Sequence, residues 1–207
     1  SNPTTGSVTV SAGSLAAGDV LSTASVSAQA SATTSAAAGS THALTPSAQT
    51  FASGSASNYA ISYADGTLTI NPRPITITAT SGQTKVYGNS DPTLTYAVEA
   101  NGAGRGLVGS DSFSGALSRA NGESVGSYAI GQGTLANGNY AISYTGASFG
   151  ISARPITVAA DNQTRIYGES NPTTGSVTVS AGSLAAGDVL RSEEHTSELQ
   201  SRGLISY

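Results

Sequence analysis

The chain contains a long internal repeat without a single internal difference. Residues 1–21 recur unchanged as residues 170–190, which is an offset of 169 positions. Unrelated stretches do not match over this length by chance, so the sequence predicts an array of similar units that pack against their neighbours. An array whose repeated positions carry no chemistry favours an architectural role. The alternative is that assembly of repetitive DNA produced the perfect copy.

A shorter period lies inside the long one. Three strings recur 80 or 81 positions later, namely residues 58–63 at 139–144, residues 73–76 at 154–157 and residues 83–92 at 163–172. Copies related by the short period differ at more positions than copies related by the long period. The two periods together indicate two divergent modules that alternate along the chain and were duplicated as a pair.

The two ends predict an internal fragment that carries a foreign tail. The chain begins inside a motif whose second copy is preceded by RPITV and QTRIYGE, and it contains no methionine. Arg191–Ser201 reads RSEEHTSELQS, which resembles the translation of a sequencing-library adapter, and Ile205–Tyr207 resembles the continuation of that adapter. We therefore expect residues 191–207 to be non-native and exclude His195 as a site candidate. A charged amphipathic tail is the alternative.

Composition excludes several classes of partner. Eight basic and twelve acidic residues give a net charge of −4, so we expect no nucleic-acid partner and no membrane-binding basic patch. No stretch approaches the roughly 18 apolar residues that span a bilayer, and we expect no direct membrane insertion. The chain has no cysteine, which removes disulfides and thiolate chemistry. Cysteine-free repeats rich in Thr, Ser and Gly fit an extracellular location on a bacterial cell surface.

Alternation of apolar and polar residues predicts β-strands. Ile75 and Ile77 alternate with threonines, and the tyrosines and isoleucine of residues 59–63 alternate with Ala and Ser. This period of two is typical of a strand with one buried face. Asp65-Gly66 and the matching Thr145-Gly146 lie between two such runs, so we predict a β-hairpin at each.

Proline marks the joints between the predicted modules. Residues 71–74 read NPRP and residues 152–155 read SARP. Because proline removes a ladder donor and fixes φ, it ends one strand and begins the next. A short proline joint is stiff, which favours a rod of modules. Residues 22–57 are nearly all Ser, Ala and Thr, and we expect loose loops or weak strands there.

The order of the motifs resembles a known family. RPIT, QTKVYGNSDPTLTY, SYAIGQGTLANGNYAISYTGASFGIS and a second RPIT follow one another from residue 73. The series resembles the MBG modules of the YGX type, which occur in tandem in large secreted bacterial adhesins of the filamentous-haemagglutinin kind. The resemblance implies tandem small β modules, β-grasp-like or sandwich-like. It implies a whole module at 73–153, one lacking its start at 1–72, and the start of a third at 154–190.

We predict that the chain is not an enzyme and has no catalytic, cofactor-binding or metal-binding residues. His42 lies in the low-complexity stretch, and residues 73–153 contain no histidine. The acidic residues are isolated in sequence and are better interpreted as turn or cap residues, namely Asp65, Asp91, Asp111 and Glu123. The string around Asp111 is a poor calcium loop. Lys85 corresponds to Arg165, which cannot form an isopeptide bond.

The repeated tyrosines leave two functional hypotheses open. Their spacing on one strand face favours a core position over an exposed sugar-stacking position. The first hypothesis is a structural spacer of an adhesin that projects a distant binding region, with neighbouring modules as its partners. The second is that the modules bind glycan, mucin or host matrix weakly, with host or bacterial surface glycans as partners, and gain avidity from repetition.

Overall fold

The computed structural model describes residues 2–7 and 9–190, so the predicted adapter-derived tail lies outside the described residues. Their regular secondary structure is almost entirely strand, which confirms the mostly-β class. Their helical structure is one 3-10 turn at Ala56–Asn58. The strands before residue 72 are Thr5–Ser7 (β1), Val20–Leu21 (β2), Thr23–Ala28 (β3), Thr41–Ser47 (β4), Phe51–Ser53 (β5) and Gly66–Thr69 (β6).

The remaining strands follow the first proline joint. Those of residues 73–153 are Arg73–Ala79 (β7), Gln83–Val86 (β8), Tyr96–Val98 (β9), Ser118–Arg119 (β10), Gly126–Gly131 (β11), Tyr140–Thr145 (β12) and Ala147–Ser152 (β13). Two more strands come after the second joint, Ile156–Ala160 (β14) and Val177–Gly182 (β15). Both RPIT strings therefore begin strands, as the prolines predict.

The Ser/Ala/Thr stretch at residues 22–57 contains strands as well as loops. Strands β3 and β4 form the middle of a four-stranded antiparallel sheet with the order β1-β3-β4-β6. Small side chains still fill this sheet, since Ala24 is buried. A hydroxyl group adds a cross-strand bond, since Ser27 Oγ on β3 donates to the carbonyl oxygen of Thr45 on β4 at 3.4 Å. Of the two alternatives expected for residues 22–57, loose loops or weak strands, β3 and β4 agree with strands, because strand pairing needs backbone groups more than large side chains.

Residues 73–153 contribute to two sheets. In the first, β7 is central, with β12 parallel on one side and β9 antiparallel on the other. The second has the order β10-β11-β13-β8, and its β13–β8 pair is parallel. Ile75 and Ile77 are buried on β7 while the threonine between them is half-buried, as the alternation predicts.

The two predicted hairpins are wrong. Strands β12 and β13 follow one another across Gly146 but belong to different sheets, so they do not pair with each other. Gly146 serves a close backbone approach, because a Cβ there would lie 2.8 Å from the carbonyl oxygen of Ile130. In the earlier copy, residues 59–65 form no strand, and Gly66 is the first residue of β6.

The chain divides into two compact units, each built from separate stretches. Among the described residues, the first comprises those of 2–80, 94–118 and 130–147, and the second comprises those of 81–93, 119–129 and 148–190. The core of the first unit includes Ile75, Ile77 and Leu135, and that of the second includes Phe149 and Ile151. The predicted module boundaries follow the sequence repeats and stay a prediction.

Candidate functional site

The arginine of the first RPIT string holds a loop about 30 residues further along the chain. Arg73 Nε donates to the carbonyl oxygen of Gly106 at 2.9 Å. Its Nη2 donates at 2.7 Å to the carbonyl oxygens of Gly102 and Arg105 and to Oδ1 of Asn101. The planar guanidinium suits this set, because its donors point in fixed directions towards several acceptors. Arg73 thus closes the Gly-rich loop at residues 101–106 against the start of β7.

The arginine of the second RPIT string repeats this contact and adds another. Arg154 Nε donates to the carbonyl oxygen of Ser183 at 2.7 Å, and its Nη2 contacts Ser183 Oγ at 3.1 Å. Its Nη1 reaches back to the carbonyl oxygen of Tyr87 at 3.3 Å and to Oδ1 of Asn89 at 3.1 Å. One side chain therefore joins the Tyr-Gly-Asn turn of residues 73–153 to the loop at 183–188. We call these contacts the joint clamp.

The Tyr-Gly-x string forms the same turn in both copies. Asn89 N donates to the carbonyl oxygen of Val86 at 3.1 Å, and Glu169 N donates to that of Ile166 at 3.1 Å. The glycines at the third position, Gly88 and Gly168, have φ of 82° and 91°. Positive φ at this position is the requirement of a type II turn, which explains the glycine of the motif.

The first of these turns contacts the loop at residues 183–188 closely. A Cβ on Gly88 would lie 2.5 Å from the Cβ of Ala185, whereas a Cβ on Gly168 would meet nothing within 4 Å. Beside it, the hydroxyl of Tyr87 donates to Oδ1 of Asp188 at 3.2 Å. Gly88 therefore has two reasons to lack a side chain, its backbone conformation and the contact with Ala185.

A second recurring contact is a hydrogen bond between a tyrosine and an aspartate, which sequence reasoning missed. Tyr140 Oη donates to Oδ2 of Asp111 at 2.6 Å and accepts a hydrogen bond from Val108 N at 3.0 Å. The matching Tyr59 binds the carboxylate of Asp19 at 2.5 Å and accepts from the backbone N of residue 16 at 2.9 Å. The signal was available, because leucine followed four positions later by aspartate recurs at 15–19, 107–111 and 184–188.

The acidic partners raise the pKa of these tyrosines. Hydrogen bonding to Asp19 is the main cause for Tyr59, whereas burial is the main cause for Tyr140, with Asp111 second. The hydroxyl groups therefore stay protonated and act as donors, which suits a structural bond.

An ionic cluster occupies the sheet of β8 and β13. Lys85 Nζ lies 2.7 Å from Oδ1 of Asp91 and contacts the carboxylate of Glu123. Arg119 binds both oxygens of Asp91, at 2.6 and 3.0 Å, and also contacts Glu123. The guanidinium carbon of Arg119 lies 5.4 Å from the ring centre of Phe149, within the range of a cation–π contact. Two cations and two carboxylates thus balance in charge.

This cluster brings together acidic residues that are far apart in sequence, and it sets their pKa values. Hydrogen bonding from Arg119 and then from Lys85 lowers the pKa of Asp91 to about 2. The same carboxylates raise the pKa of Lys85, with Asp91 the larger cause and Glu123 the next. An amide between Lys85 and Asp91 would need a neutral amine and a protonated acid. The pKa values of both groups are shifted away from those forms, so the cluster favours an ion pair.

The tyrosines differ in exposure between residues 73–153 and the residues on either side. Tyr140 is buried on β12 and Tyr144 is half-buried, which confirms a core face for that strand. By contrast, Tyr63 is 48% exposed and Tyr167 is fully exposed. Within residues 73–153 every tyrosine is buried or half-buried.

His42 has two serine neighbours. Its Nδ1 lies 3.0 Å from Oγ of Ser31, and its Nε2 lies 3.0 Å from Oγ of Ser40. The two hydroxyl groups therefore provide a hydrogen-bond partner for each ring nitrogen of His42, which is buried on β4. Among residues 2–7 and 9–190, no three His, Asp or Glu side chains group as metal ligands would, and no helix is long and apolar enough to cross a membrane.

The fold and these contacts define a β repeat domain whose arginine, tyrosine and glycine motifs hold turns and loops in place. The family model for the MBG domain (YGX type) matches residues 75–150. Residues 75–150 are therefore similar to the MBG domain of the YGX type, in agreement with the resemblance at 73–153. No curated protein and no solved structure matches the chain.

Proposed function

We propose that the chain is a structural spacer segment of a secreted bacterial adhesin, in which MBG modules project a distant binding region from the cell surface. The observation that carries the proposal is the joint clamp. Arg154 binds Ser183 on one side and Tyr87 and Asn89 on the other, so the polypeptide on both sides of a proline joint is held by one side chain. A spacer needs such a joint, because a flexible linker would fold back on itself.

The covered tyrosines support the same function. A module that binds sugars by stacking needs an exposed aromatic face, and residues 73–153 keep their tyrosines buried or half-buried. Tyr140 also commits its hydroxyl to Asp111 and Val108. The partners we propose are therefore the neighbouring modules of the same chain, in an extracellular location.

We also propose that the chain has no enzymatic activity. His42 is the histidine of the low-complexity stretch, and its two ring nitrogens face serine hydroxyl groups. A serine–histidine pair without an orienting carboxylate lacks the group that holds the imidazole in the tautomer that accepts the proton. The acidic residues near cations are already paired with them, as in the ionic cluster of Lys85 and Arg119.

A binding experiment with tandem copies tests the spacer proposal. Because residues 1–21 equal residues 170–190, copies of residues 1–169 joined end to end reproduce every joint of the repeat. One copy and four copies should both fail to bind mucin and a glycan panel. Binding that rises steeply with copy number, and that falls when Tyr63 is replaced by serine, would contradict the spacer and support avidity.

A further inference from the structure

Asparagine is followed directly by glycine at three places in residues 73–153, namely 101–102, 121–122 and 137–138. This dipeptide can modify itself. The nitrogen of the second residue attacks Cγ of the asparagine, and glycine has no Cβ that would obstruct the approach. The attack requires a carboxamide that is free to rotate and a main-chain nitrogen that is free to move towards it. The hydrogen bonds around the three sites therefore determine which of them reacts.

The first site is held at both reacting groups. Oδ1 of Asn101 accepts a hydrogen bond from Arg73 Nη2 at 2.7 Å. The nitrogen of Gly102 donates to the carbonyl oxygen of Arg105 at 2.9 Å. The carboxamide and the attacking nitrogen therefore cannot approach each other unless these two bonds break.

The third site is held through its side chain. Nδ2 of Asn137 donates to the carbonyl oxygen of Ser112 at 2.8 Å, and its Oδ1 accepts from the nitrogen of Asn139 at 2.9 Å. This side chain is also half-buried. Rotation of its Cγ towards Gly138 again requires that two hydrogen bonds break.

The second site has no such restraint. Asn121 is exposed in the bend between β10 and β11. Within the part of the chain that the structure describes, neither its carboxamide nor the nitrogen of Gly122 forms a hydrogen bond with another protein group. We propose that Asn121 is a site of spontaneous deamidation, which converts it to aspartate and isoaspartate.

The reaction needs solvent water as its only co-reactant. The nitrogen of Gly122 forms a bond to Cγ of Asn121 while the bond from Cγ to Nδ2 breaks, and the proton of the attacking nitrogen leaves with ammonia. The product is a succinimide ring. Water then opens the ring at Cγ, which gives aspartate, or at the main-chain carbonyl carbon, which gives isoaspartate. Either product carries a negative charge that asparagine lacks.

Conversion to isoaspartate changes the surroundings of Arg119. Its Nη1 donates to the carbonyl oxygens of Ala120 at 3.0 Å and of Gly122 at 2.6 Å, so it binds the main chain on both sides of residue 121. Isoaspartate places an additional methylene group between these two carbonyl groups. The new carboxylate also adds negative charge beside an ionic cluster in which two cations balance two carboxylates. We therefore expect conversion to loosen the turn that Arg119 holds.

Incubation in heavy-oxygen water measures the reaction at each site. The 207-residue chain is incubated in this water, digested in ordinary water and analysed by fragmentation mass spectrometry that separates isoaspartate from aspartate. Label should enter residue 121 about 5–150-fold faster than residues 101 and 137, because two hydrogen bonds hold each of the other sites. The control is the chain unfolded in urea, in which three identical dipeptides should take up label at similar rates. Equal rates in the folded chain, or no label at residue 121, would overturn the proposal.

Two variants test the physical reasons separately. Arg73→Lys removes the guanidinium that holds Asn101, so residue 101 should take up label faster while residue 121 is unaffected. An unchanged rate at residue 101 would contradict the protective role of the hydrogen bonds. Asn121→Gln forms the larger ring slowly and provides an unconverted control. The amide of Ala120, which donates to the carbonyl oxygen of Ala129 at 2.8 Å, should exchange faster in the aged unmodified chain than in the aged variant. Equal exchange would refute the effect of conversion on the turn.

Discussion

Adding one methyl group to the Tyr-Gly-x turn should separate it from the loop at residues 183–188. Gly88 has φ of 82°, and a Cβ there would lie 2.5 Å from the Cβ of Ala185. Gly168 occupies the same turn in the other copy with φ of 91° and has nothing within 4 Å of its built Cβ. Gly88→Ala and Gly168→Ala therefore share the backbone strain and differ in the contact.

The magnitudes follow from these two terms. A left-handed conformation costs a residue with a Cβ about 1–2 kcal/mol, and this applies to both variants. Carbon atoms prefer to lie roughly 3.5–4.0 Å apart, so Gly88→Ala must push the turn and Ala185 apart by about 1 Å or more. Overpacking of this kind costs about 1–3 kcal/mol. We expect a total of about 2–5 kcal/mol for Gly88→Ala and about 1–2 kcal/mol for Gly168→Ala.

Amide hydrogen exchange at residues 183–188 separates the two terms. The strain stays in the turn whether or not the loop is docked, so faster exchange in the loop reports the lost contact. A cost of about 1–3 kcal/mol corresponds to about 5–150-fold faster exchange in Gly88→Ala. Gly168→Ala should leave these amides unchanged.

A compensating substitution makes the reasoning refutable. Ala185→Gly removes the methyl group that the new Cβ would meet and leaves the Cα of residue 185 at 3.4 Å. Adding it to Gly88→Ala should bring the exchange of the loop back towards that of the Ala185→Gly chain. Equal exchange in the Gly88→Ala and Gly168→Ala chains, or no rescue in the double variant, would show that the turn does not hold the loop.

Three further predictions follow from the remaining contacts. Tyr140→Phe should lower the free energy of unfolding in urea by about 1–3 kcal/mol, because it removes a half-buried pair of hydrogen bonds. The control is Tyr144→Phe, which loses one long bond to a carbonyl oxygen and should lower it by less than about 1 kcal/mol. Arg73→Lys should cost about 1–3 kcal/mol in the same assay because an ammonium cannot match four acceptors. Arg165→Lys, which loses one bond, is the control, and equal losses would show that Arg73 does not hold the loop at residues 101–106. The pKa of Asp91 falls from 3.8 to about 2 in the folded chain, so its stabilising effect is complete above the unfolded pKa and is lost as the pH falls through about 2. The melting temperature should therefore drop between about pH 4 and pH 2, and it should drop less in Asp91→Asn. A melting temperature that does not change over this pH range would contradict the ion pairs.

Local signals predicted the starts of strands well. The alternation around Ile75 and the proline of each RPIT string act within a few residues, so the sequence alone places the start of β7 and of β14. The glycine of Tyr-Gly-x is equally local, because positive φ at the third turn position is a property of the backbone. The MBG motifs are built from such signals.

The sequence-based predictions fail where the structure depends on contacts between residues that are far apart in the chain. Gly146 resembles a hairpin turn, yet the strands on its two sides pair with β7 and β8 instead of with each other. Likewise, Tyr140 meets Asp111 across 29 positions, and Lys85 meets Glu123 across 38. Partner choice between strands depends on the whole sheet, and a pattern of period two does not encode it.

Small-angle X-ray scattering of tandem repeats tests the spacer most directly. Arrays of one, two and four copies of residues 1–169 contain the proline joint at residues 152–155, with Arg154, in every copy. Clamped joints predict a maximum dimension that grows in proportion to the number of copies, and Arg154→Ala in every copy should reduce that growth. A maximum dimension that rises only as about the square root of copy number in the unmodified array, as for flexible linkers, would contradict the account.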